Sequence, residues 1–202
     1  MPPFRPEIVS ALADCPSTRR ILDIGCNTGE LARALAGSGA RVVGVEGDPA
    51  AASRAREACV RVHALDLDRE EIPEPDGSFD ALVYADVLEH LIDPWKALSR
   101  HRRLLGPGGR SVISVPNVQH WRVLRDLLRG RWDYRDRDGV GHILARDHLR
   151  FFTLRGIRAA LEGAGYRVET VRALTSRRAL LLSPGPLRGF ATFQWLLIAR
   201  PA

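Results

Sequence analysis

Two periods alternate along this chain. Short apolar runs rich in β-branched residues recur at 20–24 (RILDI), 41–46 (RVVGVE), 60–65 (VRVHAL), 79–84 (FDALVY) and 110–115 (RSVISV). Runs of that length and composition predict strands buried on both faces. Between them the apolar spacing becomes helical. Residues 8–13 predict a leading helix, 29–36 places Leu31 and Leu35 four apart, and 50–58 is built from good helix formers. Asp93 is placed to cap a helix whose first residue is Pro94, with Trp95, Leu98 and Leu105 expected on its buried face. Gly106-Pro-Gly-Gly109 ends that helix and turns into the fifth strand, while 68–78 is a Pro- and acid-rich loop. Leu154, Ile157 and Leu161 mark a last helix closed by Gly163 and Gly165, and 166–173 with 190–199 predict a terminal hairpin. The alternation implies an α/β fold: a doubly wound, mostly parallel, seven-stranded sheet covered on both faces.

One connection is longer than this plan needs. Residues 116–148 separate the fifth strand from the last helix. Long connections inside compact domains are usually functional. Within this one, Trp121, Leu124 and Leu128 form an apolar stripe and Arg122, Arg125 and Arg129 a basic one. That spacing predicts an amphipathic helix. It would lie over the carboxyl ends of the strands, where open α/β sheets bind ligands.

Composition narrows the class. A chain of 202 residues, 45% hydrophobic and 27% charged, reads as one domain over residues 1–202, with 116–148 covering the acceptor. No apolar run approaches the ~18 residues of a membrane span, so no membrane partner is expected. Arg5 and Glu7 interrupt the amino terminus, which argues against a signal peptide. Cys15, Cys26 and Cys59 are odd in number without a C-x-x-C pair, which points to reduced thiols and a cytoplasmic setting. The net charge of +6 is uneven. Residues 100–150 hold twelve arginines against five aspartates, a local +7, leaving the rest near −1 (6 − 7). A solvated arginine-rich surface and an anion-attracting face both fit that excess.

The candidate chemistry begins where the first strand ends. Asp23, Gly25, Cys26, Asn27 and Gly29 form a glycine turn that opens a helix, and Glu46 followed by Gly47 ends the next strand. Such a βαβ unit lets backbone approach a ligand and aims helix N–H groups at an anionic group. A carboxylate about 20 residues on is placed to accept from ribose hydroxyls. Gly25 and Gly29 lack the dinucleotide G-x-G-x-x-G spacing, which argues against a dehydrogenase. Glu30 stands where a phosphate-binding loop would need lysine. The turn resembles motif I of the class I S-adenosylmethionine (SAM) methyltransferases, D-x-G-x-G-x-G, with Asn27 in place of the middle glycine. Asparagine tolerates the positive φ that such a turn requires.

The resemblance runs from about Ile21 to Val171 and implies SAM as cofactor. Asp66 and Leu67 match the family's adenine-binding position, and Tyr84 with Ala85 matches the end of strand four, which contacts the methionine portion in relatives. The segment from Asp86 through Glu89 and His90, then Pro116-Asn117 with His120, and His148 through Thr153 resemble a bacterial subgroup related to ubiquinone-type O-methyltransferases. The implied function is methyl transfer to a small-molecule acceptor, most often at oxygen, in a glycan, quinone or natural-product pathway. A hydroxyl acceptor gains from a base, and His120 and His148, flanking the long connection, are the candidates. Asp86, Glu89 and His90 would share one helical face as metal ligands must, but the helix dipole favours an acidic helix start with a hydrogen-bonded His90, and no metal is assigned. The arginines suggest an anionic or carrier-bound acceptor. No Asn-Pro-Pro-Tyr type of motif follows strand four, which argues against nucleic acid. A non-catalytic SAM-binding partner subunit retaining the fold is the competing reading.

Overall fold

The computed structural model describes residues 6–14, 18–132, 134, 143–144, 147–175 and 188–202; Cys15, His142 and residues 135–141 of the long connection lie outside them. The described residues form seven strands: β1 (Arg20–Ile24), β2 (Arg41–Glu46), β3 (Arg61–Ala64), β4 (Phe79–Ala85), β5 (Leu105–Pro116), β6 (Tyr166–Leu174) and β7 (Gln194–Pro201). They form one sheet in the order β3-β2-β1-β4-β5-β7-β6. The first five pair in parallel, and β7 runs antiparallel to both neighbours. This is the expected doubly wound, mostly parallel sheet closed by a hairpin. Its order reverses between β1 and β4, so a crevice opens at their carboxyl ends.

The apolar runs are continuous because both faces of the sheet are covered. Leu22, Ile24, Leu82, Tyr84 and Ile113 point to one face, packing with Leu98 of α4 (Pro94–His101) and Ile157 and Leu161 of α6 (Leu154–Gly163). Ile21, Val42, Ala81, Val83 and Val112 point to the other. There they meet α1 (Pro6–Ala13), α2 (Glu30–Ala34) and α3 (Pro49–Ala55). Truncating a fully buried leucine such as Leu98 would cost about 2–5 kcal/mol. Helix starts follow side-chain chemistry. Asp48 accepts from Ala50 N–H at 2.8 Å, Asp93 from Lys96 N–H at 2.9 Å and Thr153 from Gly156 N–H at 3.0 Å. Each such cap contributes roughly 1 kcal/mol. No helix among the described residues is long and apolar enough to cross a membrane.

Several expectations are corrected. Trp95 is 48% exposed; the buried face of α4 is Pro94, Ala97, Leu98 and His101, and the Arg150 guanidinium lies over the Trp95 ring at 5.9 Å. β5 begins at Leu105 and takes in the glycine turn, with a register shift against β4 between Phe79 and Ala81. A side chain at Gly106 would stand 2.9 Å from the Gly77 carbonyl, so glycine permits that close pairing. Phe190 belongs to a short helix, α7 (Arg188–Ala191), ahead of β7. In α5 (Trp121–Leu128) the buried residue is Val123, whereas Trp121 and Leu128 are exposed. Trp121 instead carries the guanidiniums of Arg122 and Arg125 at 5.6 and 5.3 Å from its ring centre.

Candidate functional site

The turn after β1 is held from two sides. Gly25 and Cys26 donate their N–H groups to the Val45 carbonyl at 2.8 and 3.0 Å, which fixes the turn to β2. Gly25, Asn27 and Gly29 all have positive φ, at 72°, 48° and 87°. Asn27 therefore occupies the left-handed region expected of it. A Cβ on Gly25 would stand 2.6 Å from Val87 Cγ2, and one on Gly29 3.2 Å from the Ala55 backbone. Cys26 points away from the crevice into the apolar layer, beside Cys59. A hydrogen bond to Cys59, and then burial, hold its thiol well above the ordinary range, so it packs as a neutral group.

Glu46 joins the turn to the end of β2. One carboxylate oxygen accepts from Asn27 N–H at 2.8 Å and the other from Asp48 N–H at 2.9 Å, with Gly47 between. Each oxygen keeps a lone pair for a diol. Asp23, 4% exposed, has its carboxyl pushed well above the usual range by burial, and further by Cys59, Glu30 and Glu46. At the end of β3, Asp66 is exposed; it accepts from Asp68 N–H at 3.0 Å, and its own N–H donates to Glu70 at 2.7 Å. Leu67 packs its side chain against the core, and its carbonyl accepts from Arg100 at 2.9 Å. Tyr84 is wholly buried, its hydroxyl 3.2 Å from His101 Nδ1. Only the backbone of Tyr84, and Ala85 beyond it, can face the crevice. Asp68, which the sequence pattern does not mark, ties this rim together by accepting from Ile92 N–H at 2.9 Å and Asp93 N–H at 3.3 Å.

The two candidate bases fall in separate clusters. His120 caps α5, its Nδ1 accepting from Arg122 N–H at 3.4 Å, with Phe193 and Trp121 against its ring. Burial, and then Arg122, pull it below the ordinary histidine value, so it is neutral at neutral pH. Its neutral tautomer carries hydrogen on Nε2, which makes it a donor. His148 is the reverse. Its Nδ1 faces the Ile143 carbonyl at 2.8 Å and must donate there, leaving Nε2 as the ring's acceptor. His90 stands edge-on to it, ring centres 4.8 Å apart, and its Nδ1 donates to the Asp147 carbonyl at 2.9 Å.

Glu89, 1% exposed, completes this group, and ligand atoms of Glu89, His90 and His148 lie within 4.8 Å of one another. That spacing suits a hydrogen-bonded cluster or a single divalent ion. Asp86 is not part of it. With φ at 57° it sits in the left-handed region and bonds Gln194, so the helix that would align it with Glu89 shrinks to the 3₁₀ turn Leu88–His90. Several arginines of 100–150 are engaged by the protein itself. Arg103 bonds the carbonyls of Ile72 and Glu74, Arg110 pairs with Glu169 and Arg125 with Asp126.

Comparison with known proteins bears on this geometry. The chain matches the family model of a methyltransferase domain over residues 3–171. A ubiquinone biosynthesis O-methyltransferase of Xanthomonas oryzae is 36% identical over 149 residues, 66% of this chain and 62% of that protein. The chain spans about half the length of the curated relatives it matches, 45%, 49% and 62% in three of them. Among solved structures, a SAM-dependent methyltransferase of Archaeoglobus fulgidus superposes with a TM-score of 0.71 at 17% identity, covering 96% of this chain and 91% of that one. One from Mesorhizobium loti gives 0.69 at 21% identity, covering 97% and 98%. These structures share the fold.

Proposed function

This chain belongs to the class I SAM-dependent methyltransferases, and we propose that it transfers a methyl group to an oxygen of a small-molecule acceptor. The observation that carries the reading is Glu46, held by Asn27 N–H at 2.8 Å beside the crevice where the strand order reverses. Asp23, Gly25, Asn27, Gly29, Glu46 and Gly47 would hold the amino-acid and ribose portions of SAM. Asp66 and the Leu67 backbone would hold adenine, and the Tyr84–Ala85 backbone the methionine chain. Cys26 serves the turn by packing beneath it.

SAM supplies an electrophilic methyl on a sulfonium, so the protein's work is positioning, exclusion of water and handling of one proton. His148 takes the acceptor's hydroxyl proton on Nε2, and the buried Glu89 beside it offsets the charge that develops on the ring. His120, as an Nε2–H donor, orients the acceptor oxygen. A phenol, with a pKa near ~10, is the kind of acceptor that needs such help. The relatives named as ubiquinone biosynthesis O-methyltransferases support oxygen as the target atom. An anionic or carrier-bound form of the acceptor fits the exposed Arg122 and Arg129.

The test is turnover. The full chain, SAM and extracts of metabolites from the neighbouring pathway are incubated and read by mass spectrometry for a gain of one methyl. A methylated phenol or alcohol with release of S-adenosylhomocysteine (SAH) is the expected result. Tight SAM binding without any methylated product would favour the non-catalytic partner subunit instead.

A further inference from the structure

A cleft of about 920 Å³ opens between α6, the end of β6 and α7, and none of its described lining residues belongs to the proposed SAM site. Its floor is apolar, with Leu154, Val171, Ala173 and the Trp195 ring. Its rim is cationic. Arg155 and Arg158 come from α6, Arg172 from β6 and Arg188 from α7, against a single carboxylate among the described residues, Glu162. Arg155 and Arg158 are three apart and so share one face of α6, while Ile157 and Leu161 bury the other. Arg172 pairs with Asp14. Arg155, Arg158 and Arg188 have no carboxylate partner among the described residues, although Glu162 stands one turn after Arg158. Several guanidiniums gathered over an apolar floor repel one another, and a bound anion removes that repulsion while accepting bidentate hydrogen bonds.

A second observation points the same way. Trp195 is 5% exposed, and its indole N–H is buried without an acceptor among the described residues. Buried donors are nearly always satisfied, and this orphan belongs to a residue that lines the cleft. The walls are also fixed in advance. Asn117 Nδ2 donates to the carbonyls of Gly189 and Thr192, each at 2.8 Å, and Thr175 Oγ1 donates to the Ala191 carbonyl at 2.7 Å. These bonds hold α7, and with it Arg188, against the ends of β5 and β6.

We propose that this cleft is a binding site for an organic anion, a phosphate or carboxylate held by the arginines on a flat apolar body that lies over Trp195. The site does not depend on methyl transfer. It is tested on the full chain with 1-naphthyl phosphate, 1-naphthoate and 1-naphthol as probes, by calorimetry with and without saturating SAH. The phosphate should bind once per chain, more weakly as salt rises, and roughly ten- to a hundredfold more tightly than naphthol. Naphthoate binding as tightly as the phosphate would mark a carboxylate site, and a tenfold preference for the dianion a phosphate site. Arg155→Ala with Arg158→Ala, at exposed helix positions that tolerate alanine, should cost at least tenfold while SAH affinity and Tm stay unchanged. Trp195→Phe keeps the ring and removes the N–H, and should weaken the phosphate several-fold. Equal affinity in the double variant, or displacement of the probe by SAH, would overturn the proposal. So would tight binding of single-stranded RNA, lost in the double variant, with no binding of the naphthyl anions.

Discussion

At the scale of residues, Glu46 has two duties that can be separated. It holds the turn through Asn27 N–H, and it is placed to accept from ribose hydroxyls. Glu46→Ala removes both and should weaken SAM binding by about 1.5–3 kcal/mol, roughly ten- to a hundredfold. Glu46→Gln keeps one acceptor oxygen and should lose less; equal SAM affinity in all three proteins by calorimetry would remove the ribose assignment. The histidines divide by tautomer. His148→Ala should lower kcat by something like 10²–10⁴-fold for a hydroxyl acceptor with SAM affinity unchanged. His120→Ala should act mainly on KM, since that ring donates. If both variants turn over fully, the acceptor needs no base, as a carboxylate would not.

Elements show why part of the site was legible in the sequence and part was not. β1 and β2 fall at their expected bounds because each is buried on both faces and stops at a turn residue. The positive φ of Asn27 follows from its place in the motif. Asp93 and Pro94 announce the start of α4 for equally local reasons. Misreadings occur where distant residues decide. Spacing alone put Asp86, Glu89 and His90 on one helix, but Asp86 is drawn to Gln194 of β7, 108 positions away, and the chain turns left-handed there. His148 then enters the group from the far end of the long connection. Likewise the count of arginines in 100–150 could not reveal that Arg103 and Arg110 are spent on nearby loops and strands.

The glycine turn offers a test of this local logic. Gly25→Ala places a Cβ at positive φ and 2.6 Å from Val87 Cγ2. It should cost more than about 1 kcal/mol of stability and weaken SAM binding. Adding Val87→Ala should recover the part due to the clash and leave the part due to φ. No recovery in thermal melts of the double variant would mean that backbone strain accounts for the whole effect.

For the whole molecule, the two apolar layers lie on opposite faces of one sheet, so α4 and α6 on one side and α1 to α3 on the other should melt together. We propose that residues 1–202 form a single cooperative domain, with Trp fluorescence and far-UV circular dichroism giving coincident urea transitions. Acid sensitivity is expected from one buried histidine. His101 is 1% exposed, bonded to Tyr84, and pulled from 6.5 to about 4, by burial first and then by Arg100 and Arg103. The unfolded chain takes up this proton below its ordinary value, whereas the folded chain refuses it until pH reaches about 4. The contribution of His101 is therefore full above 6.5 and falls as the pH drops toward 4, by up to ~1.4 kcal/mol per pH unit. His120, also lowered, adds to the fall. Asp23 opposes it, since its raised carboxyl gains a proton more readily in the fold than in the unfolded chain. Asp80, held below the usual carboxylate range despite some burial by its bonds from Arg20 and Arg19, loses its contribution only at more acid pH. Replacing His101 by Gln isolates the term. The variant should be less stable than the parent at pH 7.5, because the Tyr84 bond and the packing suffer, yet its unfolding free energy should change less between pH 7.5 and pH 5. Parallel slopes for the two proteins over that interval would place the acid sensitivity elsewhere.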